Sequence, residues 1–552
     1  MKFFYSFIFF FFISCSAQKD LSLAENLWKT LPVQHEGRIK PFDTFSRETL
    51  RQIYGKDHYK KRSAVEVILL WLLVPDMWDS ANLVFVEKDI KKSLNLDLKQ
   101  KHFSVLDLSK NSKLSLQLSE LQSLRQQSTE LDSYFQQIEK LETRLILFSA
   151  VKSGYLISLE PQKDKSSWLS LPELTPSVQK QITQVIKSYI ALISKNIPSE
   201  FKNSSQLSSL DIKDSSSSKE SFSEFKNRIT QFKSLFIKDK KIISQIKAEV
   251  FYNSLKPFNK AWVFYLLFLL AYLVLVIFKQ EKLFKYTMPF VFIAFGFHAL
   301  GMIFRSYIMA RPPVSNMYET VIWVPFVALI AGFVFYLRGN KWPFIASAIL
   351  SFFCLLLSSL APEVLDGRLQ PLEAVLRSSF WLTTHVLTIT MSYSFFFLAF
   401  VLGDIALISY LINKKEPLGF VEKMSQAIYR SIQWGVVFLA GGTILGGIWA
   451  DYSWGRFWGW DPKESWALIS LLAYLALLHG KLIGWVSAFN LSLFSVLIFF
   501  LVIMAWYGVN FVLGAGLHSY GFGSGGIEYV SAFLVLHLIL CALAIRKKFI
   551  SS

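Results

Sequence analysis

Cysteine is almost missing from this chain. There are three among 552 residues, and two of them, Cys354 and Cys541, lie in apolar runs. No CxxC pair and no disulfide framework can be assembled, so any thiol chemistry has to be supplied by a partner protein. Histidine is scarce too, at eight. The three in the first half, His35, His58 and His102, are scattered, without metal-ligand spacing, and are expected on the surface. Acidic residues are the minority charge, 40 against 58 basic ones, which leaves a formal charge of +18. Such an excess points either to nucleic acid or to the cytoplasmic loops of a membrane protein. What is abundant is apolar: 51 phenylalanines, 53% hydrophobic residues and a mean hydropathy of +0.37. That is too apolar for one soluble domain and too charged for a bare membrane bundle. The charges gather in the first half and the apolar runs in the second.

Residues 1–15 have the form of a secretory signal. Lys2 precedes a Phe/Ile run of about a dozen residues, short of the ~20 needed to span a bilayer. Phe12-Ile13-Ser14-Cys15 has the form of a lipoprotein cleavage box, which makes Cys15 a candidate lipidated N-terminus held in membrane lipid. The alternative is an uncleaved signal anchor. Both put residues 16–258 outside the cytoplasm, as a polar and mostly helical domain with apolar residues at helical spacing in Leu118–Leu147 and Glu173–Ile197. Ser63–Trp78 is apolar but too short to span.

Residues 259–552 are expected to form an α-helical polytopic membrane domain. About nine segments meet the ~17–25-residue criterion: 262–278, 286–304, 318–337, 342–361, 380–412, 431–449, 466–484, 489–511 and 528–545. With the first domain outside, the basic clusters Lys279–Lys285, Arg338–Lys341, Lys414–Arg430, Lys481 and Arg546–Lys548 all fall on the cytoplasmic side. These charges are then topological, and the nucleic-acid reading loses its support. A multi-pass protein of a bacterial inner membrane follows, with the C-terminus in the cytoplasm. Asp404 is expected near the inner end of its helix, in solvent.

The outer loops carry the unusual residues. Trp454, Trp458, Trp460 and Trp466 fall within thirteen residues, with Trp449 just before. An interfacial belt places one or two tryptophans per helix end; this cluster is spaced by Gly455 and Gly459, which permit close backbone approach to a flat ligand. Indole faces stack on extended π-systems, and Arg456 and Lys463 can neutralise acidic groups on such a ligand. Asp461-Pro462-Lys463-Glu464 also spells a helix start, with Asp as N-cap, Pro at N1 and Glu closing a capping box; Asp461 and Glu464 are assigned to capping before ligand contact. Gly442 and Gly446 form a GxxxG packing face. His385 and His518 flank the tryptophan loop on the same side, and two neutral imidazoles fill the axial positions of a haem iron. His479, about 20 Å along its helix, and His298 lie within spans and are candidates for a second, buried haem. Arg305 and Arg311 are weaker candidates for haem propionates. His537 has no companion motif and is expected to be structural.

The tryptophan loop, Trp381-Leu382-Thr383-Thr384-His385-Val386 and Gly516-Leu517-His518-Ser519-Tyr520-Gly521-Phe522 together resemble the CcsA/ResC haem-handling proteins of system II cytochrome c maturation, over most of residues 285–545. The resemblance implies that haem b is transported and presented at a Trp-rich outer (WWD) domain, with His385 and His518 as external ligands and His479 as a ligand of the haem in transit. It implies delivery to the CxxCH segment of an apocytochrome c, as the thioether-forming part of a holocytochrome c synthase. Leu31–Phe45 is similar to the extracytoplasmic region of fused CcsB–CcsA proteins. Such fusions carry CcsB (ResB) spans ahead of that region, and one of those spans supplies a histidine. Here only a signal stands there, so the partner of His479 is either His298 or a histidine of a separate CcsB-type subunit. Rival readings are a haem exporter without synthase activity, a quinol-linked haem subunit, and a solute transporter whose tryptophans form a belt.

Overall fold

A computed structural model describes residues 22–128, 131–162, 167–193, 218–236, 239–362, 364–372, 378–412, 417–513 and 526–551. The signal segment with Cys15, and His518, lie outside the described residues. The chain divides into two compact units, meeting in sequence at Ser254 and Leu255.

The first unit is partly helical and contains strands that periodicity did not announce. Its four-stranded sheet has the order β2-β1-β7-β8, formed by Arg38–Pro41, Pro32–His35, Ser158–Pro161 and Trp168–Ser170. β3–β4 (His58–Tyr59, Arg62–Ser63) and β5–β6 (Val84–Phe85, His102–Phe103) are short ribbons. The phrase Leu31–Phe45 is the β1–β2 hairpin followed by the start of α1 (Phe42–Tyr54). Glu36 and Gly37 both have positive φ, 49° and 75°, the conformation a two-residue hairpin turn demands. The apolar stretch after Ser63 is α2 (Ala64–Leu73), a core helix capped by the Ser63 side chain. The same core takes residues from α3 (Ser112–Gln126), α4 (Ser133–Lys152), α5 (Pro176–Ile193) and α6 (Ser218–Phe236), and α7 (Lys240–Leu255) follows.

Charges in the hairpin phrase serve structure. Arg38 forms a two-pronged pair with the buried Glu249 of α7, at 2.7 and 2.8 Å, and the Thr44 hydroxyl donates to the same carboxylate at 2.7 Å. Lys40, 1% exposed, bonds Glu36 and Glu48. Buried charges persist where they are paired in this way. His102, expected on the surface, instead donates from Nε2 to the Tyr54 carbonyl at 2.8 Å and stacks on the Tyr54 ring; burial lowers its pKa.

Lys233 on α6 donates to the Leu27 carbonyl and to the Thr30 hydroxyl. Burial pulls its pKa down to about 7. The folded form therefore binds this proton less tightly than the unfolded chain, so stability rises as pH climbs from about 7 toward the ordinary lysine range. Lys233→Met is expected to flatten that rise, read as hydrogen-exchange protection of α6 in the full chain against pH after correction for intrinsic exchange.

The second unit is an α-helical membrane bundle. Among the described residues, nine helices are long and apolar enough to cross a bilayer. They are built on α8 (Pro257–Ile277), α9 (Met288–Met309), α10 (Met317–Leu337), α11 (Trp342–Leu360), α12 (Leu387–Ile412), α13 (Pro417–Trp454), α14 (Pro462–Leu482), α15 (Ala488–Ile503, a span that runs on to Leu513) and α16 (Ile527–Ser551). α12 is central, packed on α10, α11, α13, α15 and α16. α13 departs most from the hydropathy reading. It is 38 residues long, about 57 Å at 1.5 Å per residue, because Pro417–Arg430 is an amphipathic helix and not a loop. Val421, Met424, Ala427 and Ile428 are buried while Glu422 and Lys423 are exposed. Two segments are π-helical, Leu382–Val386 before α12 and Met504–Leu513 after α15.

Candidate functional site

His385 lies on the first π-helical segment, next to α13. Its Nδ1 is 2.8 Å from the Gly442 carbonyl oxygen, and its ring meets Trp449 edge-on at 5.7 Å. A carbonyl only accepts, so Nδ1 carries the hydrogen and Nε2 the lone pair. Tying one imidazole nitrogen to a carbonyl so that the other serves as donor to iron is the usual arrangement at metal centres. π-helical turns recur at functional sites because the extra residue re-aims side chains.

The GxxxG face is what brings His385 this close. A Cβ on Gly442 would lie 2.9 Å from the Ile389 backbone, and one on Gly446 would lie 2.6 Å from Cε1 of His385. Sequence alone suggested helix packing for these glycines; the structure adds that they form the floor under the imidazole. A Phe457 ring covers Gly447 in the same manner.

Helix α13 continues through Trp449 to Trp454, so these two tryptophans project from a helix and not from a loop. The turn proper is 455–461. Gly455 has φ +67° and Trp460 has φ +56°, the left-handed region that a bulky residue enters only under constraint. The constraint is local: Glu464 accepts from Gly459 N–H at 2.8 Å and Asp461 N–H at 3.2 Å, while Asp461 accepts from Lys463 N–H at 2.9 Å. The capping box expected of Asp461 and Glu464 is thus present. It projects Trp460, 72% exposed and perpendicular to Trp458 at 6.0 Å. Tyr452 and Phe457 are exposed as well. Trp466 is the fifth residue of α14.

The basic candidates divide. Arg456 folds across Gly459, where any Cβ would collide with its guanidinium. Lys463 donates to Asn510 of the second π-helical segment at 3.3 Å, tying α14 to the chain just ahead of the stretch that carries His518. Arg305, 1% exposed, is committed to Glu319 at 2.8 Å and to the Gly367 carbonyl at 2.9 Å, with the Tyr318 ring 4.9 Å away. Arg311 lies 3.5 Å from Glu319 and donates to the Gln370 carbonyl; burial lowers its pKa, against the pull of Glu319. Glu319 also accepts from the Ser315 N–H and hydroxyl. The two arginines and Glu319 form a buried ionic clamp that holds the 364–372 segment.

The remaining histidines differ. His298 is fully buried. Nε2 donates to the Ile322 carbonyl at 2.8 Å, so Nδ1 accepts from the Tyr265 hydroxyl at 3.3 Å. The carbonyl belongs to α10, three residues before Pro325, whose missing N–H leaves the adjacent Val321 carbonyl without its helical donor. His479 is on the last turn of α14, about 25 Å from its start, with an exposed ring whose Nδ1 bonds the Leu475 carbonyl. It is therefore nearer the far end of the helix than the 20 Å inferred from the sequence. His537, with no motif, is paired with Asp404 at 3.2 Å. Asp404 is thereby corrected: it is not solvated but turned into the bundle. No cluster of three or more His, Cys, Asp or Glu suited to a metal ion occurs among the described residues.

A sequence profile described as Cytochrome C assembly protein matches residues 314–518, a range that contains His385, His479 and the whole tryptophan turn and ends on His518. Protein NrfI of Wolinella succinogenes is 30% identical over 509 residues, covering 88% of this chain and 53% of that protein; the chain thus spans about half of NrfI, and the likeness reaches well into the first unit. The cytochrome c biogenesis protein CcsA of Prochlorococcus marinus strain MIT 9301 is 35% identical over 260 residues, 40% of this chain and 80% of the relative. The CcsA of strain MIT 9515 is 34% identical over 296 residues, covering 47% and 91%.

Proposed function

This chain belongs to the CcsA family of cytochrome c biogenesis proteins, and on that premise we propose that it carries haem b to the outer face of a bacterial inner membrane and holds it there for covalent attachment to an apocytochrome c. The observation that carries the proposal is the tethered His385. Its Nδ1 is hydrogen-bonded to the Gly442 carbonyl, which fixes the plane and direction of the imidazole beside Trp449, and Nε2 is the atom that would ligate iron. His518, on the stretch after the second π-helical segment, is the second axial ligand. Trp458 and Trp460, on the strained turn, offer faces to the porphyrin.

The reaction asks little acid–base chemistry of the protein. Each thioether forms when a cysteine S–H of the CxxCH segment adds across a haem vinyl group, with the hydrogen going to the other vinyl carbon and no net oxidation. Positioning is the protein's contribution. The thiols must arrive reduced, which requires a separate thiol reductant protein, since this chain has no CxxC. His479 is the ligand of haem in transit, and its exposed ring favours a histidine from a separate CcsB-type subunit over His298, whose two nitrogens are both bonded within the bundle.

The test is purification from haem-replete membranes. A bis-histidine haem spectrum is expected, and it should be lost in His385→Ala combined with His518→Ala. A preparation without that spectrum, or a double variant that keeps it, overturns the proposal. Reconstitution with a c-type reporter then separates a synthase from a haem exporter: covalent haem on the reporter is the expected result.

A further inference from the structure

Asp404 on α12 and His537 on α16 meet within the membrane bundle, Oδ2 to Nε2 at 3.2 Å, and the haem site uses neither. The other imidazole nitrogen, Nδ1, is 2.6 Å from the Phe533 carbonyl oxygen. A carbonyl and an ionised carboxylate both only accept hydrogen bonds, so both ring nitrogens face acceptors. One hydrogen belongs on Nδ1. The contact at Nε2 needs another, either as imidazolium beside carboxylate or as carboxylic acid beside neutral imidazole. Each form holds one proton more than an ionised aspartate and a neutral histidine. Without it, the single ring hydrogen can satisfy only one of two acceptors: on Nδ1 it leaves the Nε2 lone pair against the carboxylate, and on Nε2 it leaves the Nδ1 lone pair against the Phe533 carbonyl, in a medium where charge is poorly screened.

Among the described residues, nothing nearby replaces that proton. Asp404 Oδ1 is buried and has no hydrogen-bond partner. Phe400 and Phe533 flank the imidazole, at 4.8 and 4.2 Å. Among the described residues, the further titratable group that senses the pair is Cys541, one turn along α16; α10, α11, α13 and α15, which also pack on α12, bring no charge to it.

We propose that Asp404 and His537 form an intramembrane binding site for a single proton, and that this proton latches α16 to α12. α16 has the least enclosed apolar window of the nine helices, 11% buried, so polar ties weigh heavily in holding it. A second tie is Lys547, which donates to the Tyr410 and Leu411 carbonyls at the end of α12. Loss of the shared proton leaves one hydrogen for two acceptors, so the bond across α12 and α16 must compete with the Phe533 carbonyl and the helix is loosened. The inference does not depend on the haem reading.

Cys541, 3% exposed and one turn from His537, reports on the latch. The experiment alkylates the full-length protein in phosphatidylcholine vesicles with N-ethylmaleimide at neutral to alkaline pH and reads each cysteine by peptide mass spectrometry. Cys354, buried in α11, corrects for thiol ionisation. The ratio of the Cys541 rate to the Cys354 rate is expected to rise with pH, by up to about tenfold per pH unit, the limit for one proton. Asp404→Asn should hold the ratio flat, because its amide N–H donates to Nε2 and does not titrate. Asp404→Ala should raise it at every pH; if that variant unfolds, Cys354 reacts as well and the asparagine variant decides. A wild-type ratio that ignores pH, or an asparagine variant that follows wild type, overturns the proposal.

Discussion

Gly446→Val is expected to empty the proposed haem site nearly as completely as His385→Ala. A single Cβ at 446 would already stand 2.6 Å from Cε1 and 3.0 Å from Nδ1 of His385, closer than unstrained carbon contacts of about 3.5 Å. The ring cannot simply retreat, because Nδ1 is held at 2.8 Å by the Gly442 carbonyl on the same face of α13. Valine adds methyl groups in a direction the helix backbone fixes. The imidazole must turn, and the lone pair on Nε2 turns with it. Disturbing a residue that orients a metal ligand typically costs about 10–100-fold in affinity, which is the expectation for Gly446→Ala; the valine variant should exceed it. Haem bound per polypeptide, with the α-band of the bis-histidine form, is the readout. An unchanged spectrum in Gly446→Val would remove His385 from the ligand set.

Glu319→Ala should be the most destabilising single change in the membrane unit. It strands two buried guanidinium groups, Arg305 and Arg311, that now share one carboxylate. Removing one partner of a buried pair costs about 3–5 kcal/mol, a large part of the ~5–15 kcal/mol that holds a typical domain together. The damage should spread to 364–372, whose Gly367 and Gln370 carbonyls are held by the same arginines. Arg305→Met combined with Glu319→Leu is expected to recover much of the loss in thermal stability, since apolar replacement of a whole buried pair is often nearly neutral. If Glu319→Ala melts like wild type in detergent, the clamp does not bear on stability.

How far the sequence carried is visible in individual residues. Asp461, Pro462 and Glu464 act within one turn of helix, and local chemistry alone predicts the cap they form. The Glu36-Gly37 turn was equally local, yet the hairpin was missed, because its four-residue strands are too short for alternation to register. α13 was cut short at both ends: at its start, an amphipathic stretch carries charges that resemble a loop, and at its end, tryptophans and glycines resemble a turn. Asp404 and His537 lie on helices far apart in the chain, and no spacing rule joins them.

What the sequence determined by itself is the membrane architecture and the family, because hydrophobic length, helix caps and the tryptophan–histidine motifs are properties of contiguous residues. Only the tertiary structure decided which glycines support His385, where Arg305 spends its charge, and that Asp404 meets His537. Each of those depends on a distance of about 3 Å between separate helices, and such distances are set by packing, which no linear pattern records.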